Sequence, residues 1–234
     1  FFKQKTAYEI KECDWSSDVC SSDLLTLLAV RARIVETQGA AITGHFDAAW
    51  AISMGHVTLV LSSMQSYYLP ALSRARLDAE RSDQISTTLT IAVLVAAAVI
   101  ASLALLKSLL LRLLYASAFE PGARYLRWTL VGDYLKVASW TLSIPLLARN
   151  DLRAFLAADI IAYGVFYAGS ALFAKTAGAA EGAGMGFAAM YGCHLLFCGG
   201  VIHFGYRLSL HRRAWMAFGA GLLIVLLSAA LTWN

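Results

Sequence analysis

ISTTLTIAVLVAAAVIASLALL, Ile85 to Leu106, decides the class of fold. It carries no charge, and beyond Thr90 it is almost entirely aliphatic residues and alanine. A helix needs about 20 such residues to cross a hydrocarbon core of ~30 Å. Backbone amides find no water there, so a continuous run of this length reads as helix rather than barrel strand. Working outward, Thr43–Leu72, Tyr125–Leu147, Leu152–Phe173, Gly182–Tyr206 and Ala214–Trp233 are further apolar runs, and Leu25–Val35 is a shorter one. The expectation is an all-α, polytopic helical membrane protein with about six spans plus a partial first helix. Mean hydropathy is +0.63, and charges fall in clusters between the runs, which excludes an ordinary soluble core. Basic residues beside spans are no nucleic-acid signature, and no nucleic-acid partner is expected. Between runs, "SRARLDAERSDQ" (73–84) is expected to be a charged loop. "KSLLLRLLYASAFEPGAR" (107–124) is expected to be amphipathic and interfacial.

The N-terminal stretch reads differently. "DWSSDVCSSDL", Asp14 to Leu24, back-translates with ordinary codons to a common sequencing-library adapter. "FFKQKTAYEI", Phe1 to Ile10, resembles the matching flow-cell adapter. Residues 1–24 are therefore expected to be artefactual and are excluded from fold reasoning. Setting aside Lys3, Lys5 and Lys11 together with Glu9, Glu12, Asp14, Asp18 and Asp23 moves the formal net charge from +4 to +6. Cys193 and Cys198 then remain, in apolar surroundings that say nothing of a redox compartment.

Alternate connections fall into two sets. Arg74, Arg76, Arg81, Arg149, Arg153, Arg207, Arg212 and Arg213 form one; Lys107, Arg112, Arg124, Arg127 and Lys175 form the other. The excess of arginine places the first set on the cytoplasmic side.

Asp133 and Lys136, in "LVGDYLKVASW", share a helix face near the middle of their span. A charge there costs at least ~2.5–3.5 kcal/mol, so each must face a partner or a wet cavity. Two uses remain open: an ion pair that locks packing, or a transport site. Arg31 and Arg33 point to different faces, so one of them at most enters a given cavity. Arginine's fork suits phosphate, while interfacial anchoring is the plainer role. His45, Asp47 and His56 on the following run, and Asp159 with Tyr163 one turn on, either carry protons or line a solvated vestibule. Cys193, His194, Cys198 and His203 lack a convergent fourth ligand, so no metal is expected. Gly178, Gly182 and Gly186, spaced by four, suit close helix packing. No nucleotide loop, nucleophile elbow or zinc motif occurs; no cofactor and no enzymatic activity are expected.

"GHFDAAWAIS", "SYYLPALSRA", "RYLRWTLVGDYLKVASW" and "AEGAGMGFAAMYG" occur in this order. Together they resemble the second half of the Wzx-type flippases, the O-antigen and lipid III translocases of the polysaccharide transporter family. The likeness spans about Leu25 to Tyr206, and Arg31 falls where the family carries an arginine. It implies the C-terminal bundle of a fold of the multidrug/oligosaccharidyl-lipid/polysaccharide (MOP) exporter superfamily over residues 25–213, with 214–234 an extra transmembrane helix. It implies flipping of an undecaprenyl-pyrophosphate-linked oligosaccharide across the bacterial inner membrane by alternating access. Arg31 and Lys136 would then receive the pyrophosphate, with Asp133 holding Lys136 or relaying a proton; Asp47, His56 and Asp159 would serve proton coupling. Partners would be the lipid-linked oligosaccharide, membrane lipids and the missing N-terminal bundle. Alternatives are a drug/cation antiporter of the same superfamily, with an acidic rather than cationic cavity, and a membrane-bound polymerase or glycosyltransferase, which needs a large loop.

Overall fold

The structure is a computed structural model and describes residues 18–75 and 77–231. Most of the adapter-like segment, Arg76 and Trp233 lie outside these residues. Among the described residues seven α-helices follow one another: α1 Asp18–Gln38, α2 Ala40–Arg74, α3 Asp78–Leu114, α4 Leu126–Ala148, α5 Leu152–Ala177, α6 Ala179–Gly200 and α7 Arg212–Leu231. A 3-10 segment, Ser117–Tyr125, precedes α4, and α6 ends in a wider π-turn, Val201–Gly205. Among the described residues there is no strand.

Among the described residues four helices are long and apolar enough to cross a membrane: α3, α5, α6 with its π-turn, and α7. The runs expected at Thr43–Leu72 and Tyr125–Leu147 are the helices α2 and α4, but their polar side chains keep them below that threshold. Those polar groups point inward. Ser53, Thr129, Asp133, Ser139, Thr141, Ser143 and His194 are buried, whereas Ile91, Leu105, Leu109, Leu156, Ile160 and Leu196 are exposed. A water-soluble protein has the reverse pattern, and an exterior this apolar suits lipid.

α4 is the axis of the bundle, packed against α2, α3, α6 and α7. Leu126, Leu130, Tyr134, Val137, Ala138, Leu142 and Leu146 are buried around its circumference. The Tyr134 hydroxyl donates to the Phe218 carbonyl at 2.7 Å, which seats α7 on α4. The Tyr68 hydroxyl reaches the Thr141 carbonyl at 3.2 Å from α2.

α3 has 37 residues, about 55 Å at helical rise, and overruns the bilayer core at both ends. It corrects two expectations. Its first turn converts part of the 73–84 loop to helix, because Asp78 and Glu80 suit a helix N-terminus and the Leu77 N–H donates to the Glu80 carboxylate at 3.3 Å. At the other end LLLRLL continues the helix to Leu114, since nothing breaks it before the 3-10 segment; Arg112 there holds Glu120 at 2.7 Å. Only 117–125 forms a separate element of the stretch expected to lie in the interface.

Single residues turn the chain between long helices. Gly39 and Gly178 both have φ 88° with extended ψ, a region that side chains avoid, and join α1 to α2 and α5 to α6. Asn150, at φ 58°, closes α4: the N–H of Asp151 donates back to the Leu146 carbonyl at 2.8 Å.

The described arginines of the first set gather at one end of the bundle. Asp78 takes Arg149 at 2.8 Å and Arg81 at 3.1 Å, and Asp83 takes Arg213 at 3.0 Å. The Tyr206 hydroxyl donates to Asp151 at 2.8 Å, while the other Asp151 oxygen caps α5 through the Ala154 N–H. The Tyr206 bond, then the Ala154 bond, hold the Asp151 carboxyl below its ordinary value of 3.8. A lowered folded-state pKa stabilises above the unfolded value, and that contribution fades as pH falls through the folded value. Asp151→Asn should therefore flatten the acid limb of stability below about pH 4, measured as unfolding midpoint against pH in detergent.

α5 and α6 approach through glycine. A Cβ on Gly182 would sit 2.6 Å from the Ala174 nitrogen, and one on Gly186 2.6 Å from the Ser170 nitrogen. Backbone cannot yield there as a side chain would. Gly186→Ala should destabilise the bundle by about 1–3 kcal/mol. Gly164→Ala, with nothing within 4 Å of the new methyl, should stabilise it by about 0.4–1 kcal/mol. Denaturant unfolding in detergent reads both.

Candidate functional site

The buried polar residues of α2 and α4 meet at mid-helix. Asp133 is the eighth residue of α4 and Lys136 lies one turn on, about 15 Å from the helix start. Asp133 is fully buried. Ser53 Oγ donates to its Oδ2 at 2.7 Å, and His56 Nε2 lies 3.6 Å from the same oxygen. Ser53 and His56 are three apart on α2, so both face α4. His56 Nδ1 lies 3.3 Å from the Ile52 carbonyl and can meet it only as donor. Nε2 therefore faces the carboxylate, and attraction between them requires one further proton, on either partner. Asp133 Oδ1 is buried without a hydrogen bond.

Lys136 turns the other way, into a partly open cavity of about 180 Å³. Leu27 of α1, Trp50 and Met54 of α2, Phe166 of α5, and Phe187 and Tyr191 of α6 line it with the lysine. The ammonium lies 5.3 Å from the Tyr191 ring centre and 5.9 Å from that of Phe187, within cation–π range. Nζ also lies 3.9 Å from Met54 Sδ. Trp50 meets Phe187 edge to face, with centroids 4.8 Å apart, and Phe166 lies parallel to Trp50. The result is one cation in an aromatic box.

Arg31 and Asp47 form an ion pair at 2.8 Å, both partly exposed. Arg31 is one turn beyond Leu27 on α1, and Asp47 one turn before Trp50 on α2. Both steps lead from the cavity toward the glycine-turn end. Asp159 pairs with the buried His194 across α5 and α6 at 3.4 Å, and Cys198 Sγ is 3.9 Å from that imidazole. Among the described residues no three His, Cys, Asp or Glu side chains converge as a metal site would need.

The expected site residues thus fall into groups. Asp133 and His56 come together, Arg31 and Asp47 come together, and Asp159 stands with His194. Lys136 alone of them lines the cavity, since Asp133 faces Ser53 and His56 on the sealed side. Sequence reasoning missed Ser53, the aromatic box and the Arg127–Glu181 pair, which spans α4 and α6 at 3.4 Å. It also missed Gln38, whose Oε1 accepts from the Ala180 N–H at 2.8 Å and so ties the α1–α2 turn to the α5–α6 turn. Ser53 had a readable signal, standing one turn before His56; the aromatic box had none, because aromatic residues in apolar runs also face lipid.

Comparisons with known proteins found no similar chain: no family model, no curated protein and no solved structure matches.

Removing the Ser53 hydroxyl leaves a buried carboxylate with one donor fewer. Ser53→Ala should cost about 1–3 kcal/mol. A double-mutant cycle with Asp133→Asn should show coupling above about 0.5 kcal/mol, read by unfolding in detergent; additive effects would mean that the bond carries no stability.

Proposed function

We propose that the chain is the C-terminal bundle of a bacterial inner-membrane flippase that moves an undecaprenyl-pyrophosphate-linked oligosaccharide across the bilayer. The observation that carries this reading is Lys136, a mid-helix cation opening into a cavity walled by Trp50, Phe166, Phe187 and Tyr191. A cation desolvated in this way attracts a phosphate strongly, and aromatic faces suit the apolar faces of sugar rings. A cavity of about 180 Å³ is smaller than the ~300–1,000 Å³ usual for a drug-sized ligand, so it takes the pyrophosphate region only. The remaining lumen comes from the facing N-terminal bundle, and the polyprenyl tail stays in lipid. Arg31, paired with Asp47 one turn toward the glycine-turn end, receives the phosphates as they pass and exchanges one carboxylate partner for another anion. The His56–Asp133 pair, which attracts only when one partner takes up a proton, and the Asp159–His194 pair link helix packing to proton occupancy.

Two other readings have less support. A drug/cation antiporter would present a carboxylate to its cavity, whereas the group at this cavity is an ammonium. A polymerase or glycosyltransferase of the same pathway would carry its catalytic residues on a large loop, and the connections between the described helices are short.

The test is binding of undecaprenyl pyrophosphate to the full chain in nanodiscs. Lys136→Gln should weaken it by about 10-fold or more, the effect of losing one charge-assisted bond, and Arg31→Gln should weaken it less. Equal affinity for the wild type and Lys136→Gln would overturn the assignment. In the complete transporter the same substitution should lower surface polysaccharide.

A further inference from the structure

The arginine-rich end of the bundle has more cation than its own acids use. Among the described residues at 74–83, 149–153 and 207–213 there are seven arginines and four carboxylates. Every one of those acids is engaged: Asp78 by Arg81 and Arg149, Asp83 by Arg213, Glu80 by the Leu77 N–H, and Asp151 by Tyr206 and the Ala154 N–H. Four exposed arginines, Arg74, Arg153, Arg207 and Arg212, make no ion pair among the described residues, and Arg153 and Arg207 lie on the two segments that the Tyr206–Asp151 bond joins.

These two bracket one small structure. Arg153 lies close enough to Asp151 to act on its charge. Asp151 accepts from the Tyr206 hydroxyl, and Arg207 is the next residue after that tyrosine. The Arg149 guanidinium lies 4.5 Å over the Tyr206 ring and fixes it from the other side. Arg207 has φ 54°, a left-handed conformation in which glycine would be unstrained and arginine is not. That conformation closes the π-turn, with the Leu208 N–H donating back to the Ile202 carbonyl at 3.1 Å, and leaves the Arg207 side chain exposed. Leu152 at the start of α5 is exposed beside Arg153, and Leu156 and Phe204, further into the bundle along their helices, are exposed as well. Charge above and apolar surface below match the two parts of a phospholipid.

We infer that Arg153 and Arg207 form a binding site for the phosphate of an anionic glycerophospholipid from the surrounding bilayer, whose acyl chains lie against Leu152, Leu156 and Phe204. The Tyr206–Asp151 bond holds together the two segments that carry these arginines. The site is separate from the Lys136 cavity and does not depend on what that cavity carries.

The test uses the full chain in nanodiscs of phosphatidylcholine containing a minor share of phosphatidylglycerol. Native mass spectrometry counts the lipids that remain on the protein. Wild type should retain phosphatidylglycerol well above its bulk share. Arg153→Gln with Arg207→Gly should lower that enrichment by about fivefold per arginine removed, as expected for ~1 kcal/mol per basic residue at a membrane surface. Glycine suits the left-handed position, so the variant keeps its fold. Arg124→Gln with Lys175→Gln makes the same change of charge at the opposite end and should leave the enrichment intact. No enrichment in the wild type would overturn the site. Equal loss in both double variants would overturn it too, by showing that diffuse charge suffices.

Discussion

A carboxylate inside a bundle that faces hydrocarbon has nowhere to go but toward another helix. The Ser53–Asp133 hydrogen bond meets that constraint, and much of the packing follows from it. Leaving the charge without partners would cost several kcal/mol. The bond therefore fixes the rotation of α2 about its own axis. With Ser53 and His56 turned to α4, Trp50 and Met54 point into the space shared with α1, α5 and α6. On α4, Tyr134 takes α7 through the Phe218 carbonyl while Lys136 faces α6. A helix with polar side chains in several directions has to be central, and α3, α5, α6 and α7 supply the apolar exterior.

How much of this was legible depends on how far each signal reaches along the chain. Ile85–Leu106 was unmistakable because bilayer depth and helical rise together set its length. Its true ends, Asp78 and Leu114, were not legible, since a hydropathy pattern ends where the hydrocarbon ends and the helix does not. That Asp133 and Lys136 turn inward followed from the cost of charge in lipid. Their partners did not, because Ser53 and His56 lie about 80 residues away and a single sequence holds no record of contact. Arg31 and Asp47 were each recognised as unusual, but their pairing removes the picture of a lone arginine waiting for phosphate. The glycines at 182 and 186 were readable as a close contact, and the backbone distances bear that reading out.

The two ends of the bundle are built differently. At one, single glycines join α1 to α2 and α5 to α6, and the Gln38 amide bridges the two turns. Four of the five helices that line the cavity meet there, and the Arg31–Asp47, Arg124–Glu181 and Arg127–Glu181 ion pairs join helices at or near the same end. At the other, arginines and aspartates tie α3, α4, α5, α6 and α7 together.

Everything rests on the interior being polar and reachable by water while the exterior faces lipid. Cysteine accessibility measures this most directly. In a background with Cys13, Cys20, Cys193 and Cys198 replaced, single cysteines at Lys136, Met54, Asp133 and Leu105 would be treated in intact membranes with a small charged thiol reagent. Cysteines at 136 and 54 should react, because they line the partly open cavity; those at 133 and 105 should not, one being sealed against α2 and the other facing acyl chains. Reaction at 105 with silence at 136 would contradict the arrangement.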